Sequence, residues 1–259
     1  IYKKLNNDYS IYPKPYLITS LWDKDKINIE KRKLGGTNYG FDMSKLFMTK
    51  DKMFENRDGI IEILRYYFGK PSKEMTYDDG DFYKRNGIIP RIKDICSGEC
   101  RTLNNNHMTT QLWFLPVGTG EINDKIEALL DLLVYSPPYE FRKLNYHYYT
   151  YVNGKKGIDP TGSVTYMTSS KNIKKEIEET ENNIRMGKVR GENLIILTGN
   201  RLQLGISLKN VDIVTMWNSI SSSDAIFQML FRSMTEVNEH DELKKKKYGF
   251  MVDLNPQRA

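Results

Sequence analysis

The stretch that decides the fold is Asn193–Leu208, NLIILTGNRLQLGISL. Leu194–Leu197 is an unbroken apolar run, which is what a strand covered on both faces requires. Thr198 and Gly199 end the run with a small hydroxyl residue and a glycine, and a second glycine, Gly205, follows after a short helical turn. Small residues at the end of a buried strand let the backbone approach a ligand closely, and free N–H groups there can donate to a phosphate. Taken alone, a Thr-Gly pair is a weak signal and reads first as an ordinary strand-to-helix turn with no ligand.

The same grammar extends to both sides. Upstream, Gln111–Pro116 (QLWFLP) reads as a buried strand, and Glu121–Tyr135 places Ile122, Ile126, Leu129, Leu130 and Leu133 at helical spacing. Tyr146–Val152 (YHYYTYV) is aromatic and β-branched, a second strand. Lys171–Met186 sets Ile173, Ile177 and Ile184 against charges, an amphipathic helix with Ser170 as a candidate N-cap. Downstream, Val211–Trp217 (VDIVTMW) and Tyr248–Leu254 (YGFMVDL) read as strands around a helix at Ser223–Met234. Strand and helix alternate about every twenty residues, which predicts an α/β fold with a mostly parallel sheet and helices on both faces. Ligands in such sheets bind beyond the carboxyl ends of the strands. The positions to inspect are therefore those after Pro116, Thr198, Trp217 and Leu254.

Residues 1–107 read differently: tyrosine-rich, broken by Gly and Pro, with one clear helix near Arg57–Phe68 stopped by Gly69 and Pro71. Lys73–Asn86 reads as an exposed loop or short helix. This α-rich but irregular region is expected to be an accessory or insertion layer leading into the domain at 108–259.

Composition sets the outer bounds. The chain has 259 residues, 39% apolar and 28% charged, and no run of apolar residues long enough to span a membrane. It begins IYKKLNNDYS, with neither a signal-peptide layout nor an initiator Met, and is expected to be a piece of a larger chain. Two cysteines, Cys96 and Cys100, suit an intracellular, reducing compartment. With His107 they read C-x3-C-x6-H, short of a zinc ligand set, so no metal is expected there. A net charge of +6 suits a polyanionic partner without requiring one. Lys244–Lys247 reads as a solvated loop, and Tyr146, Tyr148, Tyr149 and Tyr151 as core packing on a strand.

The helix Ser223–Met234 carries Gln228 and Arg232 four apart, on one face. Combined with Thr198–Leu208, the order becomes strand, Thr-Gly, Gly-Ile-Ser-Leu, strand, serine-rich loop, Gln-x-x-x-Arg, strand. In this order residues 108–259 resemble the C-terminal RecA-like domain of superfamily 2 helicases and translocases, of the type encoded by large DNA viruses and phages. The resemblance implies a set of roles. Thr198, Gly199 and Asn200 would contact nucleic-acid phosphates, DNA rather than RNA. Gly205 and Ser207 would face the nucleotide. Gln228 and Arg232 would be the catalytic pair, Arg232 acting as an arginine finger toward ATP and Mg²⁺ held by a separate N-terminal RecA-like lobe.

The chain departs from the family pattern where Ser207 replaces an acidic residue and Thr235 a second arginine: either the finger is single, or another residue such as Arg201 or Arg258 substitutes. No G-x-x-x-x-G-K-[ST] loop is present, and no Asp-Glu pair ends an apolar strand, so motifs for holding ATP are expected upstream. A competing expectation is a RecA-like scaffold or nucleic-acid-binding module that has lost ATP chemistry, within a viral or transcription assembly.

Overall fold

A computed structural model describes residues 13–19, 43–99, 109–118, 121–169, 172–202, 208, 210–235 and 248–255. Ten strands form in chain order: β1 (Lys14–Thr19), β2 (Thr49–Lys50), β3 (Met53–Phe54), β4 (Thr110–Phe114), β5 (Tyr146–Thr150), β6 (Gly157–Ile158), β7 (Val164–Tyr166), β8 (Asn193–Thr198), β9 (Ile213–Met216) and β10 (Tyr248–Asp253). The helices are α1 (Met43–Leu46), α2 (Arg57–Phe68), α3 (Tyr77–Asn86), α4 (Ile88–Glu99), α5 (Ile122–Leu130), α6 (Ile173–Val189) and α7 (Ser223–Leu230). Eight strands make one sheet in the order β1-β10-β9-β4-β8-β5-β7-β6, and β2 and β3 form a separate hairpin. Every neighbouring pair in the large sheet is parallel except β6–β7. The fold is thus α/β with a mostly parallel sheet, as the alternation predicted.

Side-chain alternation along the strands assigns each residue to one of two cores. Trp113, Ile195, Leu197, Ile213 and Phe250 point to a face covered by α2, α4 and α5. Leu112, Phe114, Leu194, Ile196, Val214 and Met216 point to the other, which meets Ile184 of α6 and Met229 and Leu230 of α7. The first core is rich in aromatic rings: Tyr67 lies edge-on to Trp113 at 5.0 Å, and Trp113 and Trp217 are 5.2 Å apart. The Tyr67 hydroxyl sits 2.8 Å from Gln111 Oε1 and 2.7 Å from Thr215 Oγ1, while Trp113 Nε1 donates to the same Gln111 oxygen at 3.0 Å. These bonds satisfy polar atoms that would otherwise be costly at full burial. Burial pushes the Tyr67 phenol well above its ordinary range, so it stays neutral and can donate.

Local signals explain the boundaries. Asn56 Oδ1 accepts from Gly59 N at the start of α2, and Gly69 ends it at φ 64, the left-handed conformation that favours glycine. Lys73–Asn86 resolves into a helix from Tyr77 onward, with Thr76 as its N-cap. Asn172 accepts from Lys174 N and Lys175 N and so starts α6; Ser170 lies outside the described residues. The helix expected over Ser223–Met234 is α-helical only to Leu230 and tightens into a 3₁₀ turn at Phe231–Met234. The helix expected over Glu121–Tyr135 likewise becomes a π turn from Asp131 to Tyr135.

Among the described residues no helix is long and apolar enough to cross a membrane.

Candidate functional site

β4, β8 and β5 are neighbours running in one direction, so their carboxyl ends open side by side. There the chain leaves a cleft of about 240 Å³. Its wall is apolar, from Val117, Ile122, Ile126 and Leu197. Its polar lining is Asn123, Asn153, Thr198, Asn200 and Arg201, with Tyr151 and Gly199 beside them. An apolar wall with a few placed polar groups at the strand ends of a parallel sheet is the usual composition of a ligand site.

Thr198, Gly199 and Asn200 are therefore brought together, and each has a distinct local role. Thr198 Oγ1 donates to the Arg201 carbonyl at 2.9 Å and closes the turn. Gly199 is buried, and a Cβ there would meet Ile122 Cγ1 at 2.9 Å and Val117 Cγ1 at 3.2 Å. Glycine is what lets the turn lie against α5. Asn200 is exposed at the cleft. Leu202, at the end of the turn, has φ 65, a left-handed conformation costing a leucine about 1–2 kcal/mol. Strain of this kind persists where the surrounding structure enforces it, often at binding sites. Beneath the cleft, the fully buried Lys125 of α5 donates from Nζ to the Pro116 carbonyl at 2.9 Å, and burial lowers its pKa.

Gln228 and Arg232 lie elsewhere. Gln228 is exposed on α7. Arg232 is in the 3₁₀ turn and only 9% exposed, and burial lowers its pKa. That turn rests on the entry to β10: a Cβ on Gly249 would come within 2.3 Å of the Ser233 carbonyl oxygen. The ladder registers place Gly249 level with Leu194, four residues before Thr198. At about 3.3 Å per residue the two places differ by roughly 13 Å along the strands. They are also three strands apart across the sheet. Arg232 is thus buried within this lobe, in a turn set against β10 and away from the strand-end cleft. Gly205 and Ser207, expected beside the nucleotide, lie outside the described residues, as do Arg258 and Lys244–Lys247.

The remaining candidates resolve simply. Of the other strand ends singled out, Trp217 and Leu254 are buried core residues. Tyr148, Tyr149 and Tyr151 are 2, 2 and 7% exposed, so the aromatic strand is core. Among the described residues no group of three or more His, Cys, Asp or Glu could hold a metal; Cys100 and His107 lie outside them. Asn123 and Asn153 are cleft residues that sequence reasoning did not name. Asn153 follows the end of β5, and reading past that strand as past the others would have found it.

The site thus belongs to a mostly parallel α/β fold with a polar cleft at its strand ends. No family model matches the chain, and no curated protein matches it. Among solved structures it is similar to the C-terminal part of the Fun30 ATPase domain, at 10% identity and a TM-score of 0.36, over 93% of this chain and 84% of that one. A likeness that distant carries no functional argument.

Proposed function

We propose that this chain is the second, nucleic-acid-gripping lobe of an ATP-dependent helicase or translocase, of the kind found in large DNA viruses and phages. The observation that carries the reading is the turn Thr198–Arg201, which lines a cleft at the carboxyl ends of three parallel strands and leads into the strained Leu202. Amides, a hydroxyl and a guanidinium there are donors suited to a phosphate backbone. DNA is the expected track. ATP and Mg²⁺ would be held mainly by a separate N-terminal lobe. Arg232 is buried in this lobe, and no catalytic step is assigned to it.

The burial of Arg232 favours a second reading, a RecA-like module that binds nucleic acid within a larger assembly and does no ATP chemistry. One experiment separates the two. In the longer chain carrying the N-terminal lobe, Arg232→Ala lowers ATP turnover by several orders of magnitude if the residue acts as an arginine finger, on the scale known for such residues. Turnover that survives in a folded Arg232→Ala variant keeps the motor and removes Arg232 from its chemistry, whereas no turnover in the wild type selects the second reading. For either reading, binding of a labelled single-stranded oligonucleotide must weaken in Asn200→Ala.

A further inference from the structure

Among the described residues lining the cleft, Arg201 alone carries a charge. Its guanidinium is held on two sides. Nη1 lies 3.1 and 3.2 Å from the two carboxylate oxygens of Glu176, and the group sits 5.3 Å above the ring of Tyr151. That ring is itself fixed, because its hydroxyl bonds to Thr180 Oγ1 at 2.6 Å. The Arg201 carbonyl is held as well, by Thr198 Oγ1. The two ends of the ion pair differ in exposure: the Glu176 side chain is 9% exposed and that of Arg201 is 45%. Glu176 stands in the first turn of α6, where the helix dipole favours a carboxylate. The pair is therefore an anchored acid holding a reachable guanidinium, unlike an exposed pair whose two ends are both free to move.

We infer that Arg201 is the phosphate anchor of this cleft, offering its Nε and Nη2 edge to a phosphodiester of single-stranded nucleic acid while Nη1 stays on Glu176. The inference rests on the nucleic-acid reading above and adds to it the residue that bears the charge. The charge balance selects the ligand. A diester adds one negative charge beside an Arg201–Glu176 pair that is neutral overall, a load that a charged fork and neutral amide donors can hold. A free triphosphate carries about four, which a single guanidinium already shared with Glu176 cannot balance. The neutral amides of Asn123, Asn153 and Asn200 add donors without adding charge, and Val117, Ile122 and Ile126 offer an apolar wall to a sugar or base. Arginine suits the position because its planar fork can serve a carboxylate and a phosphate at once, which a lysine ammonium does less well.

The test measures binding of a fluorescein-labelled single-stranded oligothymidylate to the 259-residue chain by anisotropy over a range of salt. Arg201→Ala is expected to weaken binding about tenfold, the effect of losing a charged hydrogen bond. It should also reduce the slope of log affinity against log salt by about 0.7, one single-strand phosphate contact. Arg201→Lys should keep the slope and recover only part of the affinity, and its circular dichroism should match the wild type. Inorganic tripolyphosphate should not displace the oligonucleotide at concentrations where unlabelled oligonucleotide does. A slope in Arg201→Ala equal to that of the wild type, with Asn200→Ala still weakening binding, overturns the anchor and leaves the nucleic-acid reading standing. Displacement by tripolyphosphate at lower concentrations than oligonucleotide overturns it in favour of a free polyphosphate. No oligonucleotide binding by the wild type overturns both.

Discussion

The turn after β8 and the turn after α7 make an instructive pair. Both are short, both carry one arginine, and both carry the residues on which the helicase resemblance depends. The first opens outward: Arg201 is nearly half exposed and lies over an aromatic ring at a polar cleft. The second closes inward: Arg232 is 9% exposed, in a turn pressed on the backbone of β10. Spacing along a helix fixes which residues share a face. It does not say whether that face meets solvent, a partner or the sheet. Arginine four residues after glutamine is compatible with all three.

The contrast can be attacked directly. The largest effect is expected from Arg232→Ala, which removes a buried side chain and should cost about 2–4 kcal/mol in urea unfolding. The matching change, Arg201→Ala, removes a half-exposed ion pair and should cost no more than about 1 kcal/mol. Equal costs at the two sites would erase the distinction between them. Next comes Gly199→Val, whose branched side chain must push into Ile122 and Val117. Overpacking there should cost about 1–3 kcal/mol and narrow the cleft, read as lower stability together with weaker oligonucleotide binding. Thr198→Val keeps the shape and removes one hydrogen bond to the Arg201 carbonyl, for about 0.5–1.5 kcal/mol. The smallest effect concerns pH. His147 in β5 is half-buried, and burial lowers its pKa from the ordinary 6.5. Below that value the unfolded chain binds the proton more readily than the folded one, so stability should fall as pH drops from 6.5 through the lowered value. His147→Gln should flatten that part of the stability profile, and an unchanged profile would remove histidine from the account.

Much of the sheet was legible because burial on both faces leaves a continuous apolar run. Asn193–Thr198 is a strand at its expected ends, β5, β9 and β10 lie within the stretches read as strands, and β4 starts one residue before the stretch expected for it. Elements carrying local breakers were hidden. α4 begins Ile88-Ile89-Pro90 directly after Gly87, a pair that reads as loop punctuation. Proline in the first turn of a helix removes no needed donor, so the helix forms regardless. β1 carries Pro15, and β7 has three residues, too few for a period to show. At the site, the turn Thr198–Asn200 could be read because it ends the clearest strand. Glu176 and Tyr151 could not, because they reach Arg201 through tertiary packing from positions 25 and 50 residues earlier in the chain. The inward turn of Arg232 was invisible for the same reason, since the backbone of Gly249 that it packs near belongs to a later strand.

β1 has a consequence of its own. It pairs with β10 along six residues, from Lys14 opposite Tyr248 to Thr19 opposite Asp253. Without it, β10 would present an open row of N–H and C=O groups beside Phe250 and Val252, a template for pairing with another molecule. A version of this protein shortened to begin at Met43 would keep the cleft and the helical layer yet expose that row. It is expected to self-associate at concentrations where the longer chain stays monodisperse in light scattering.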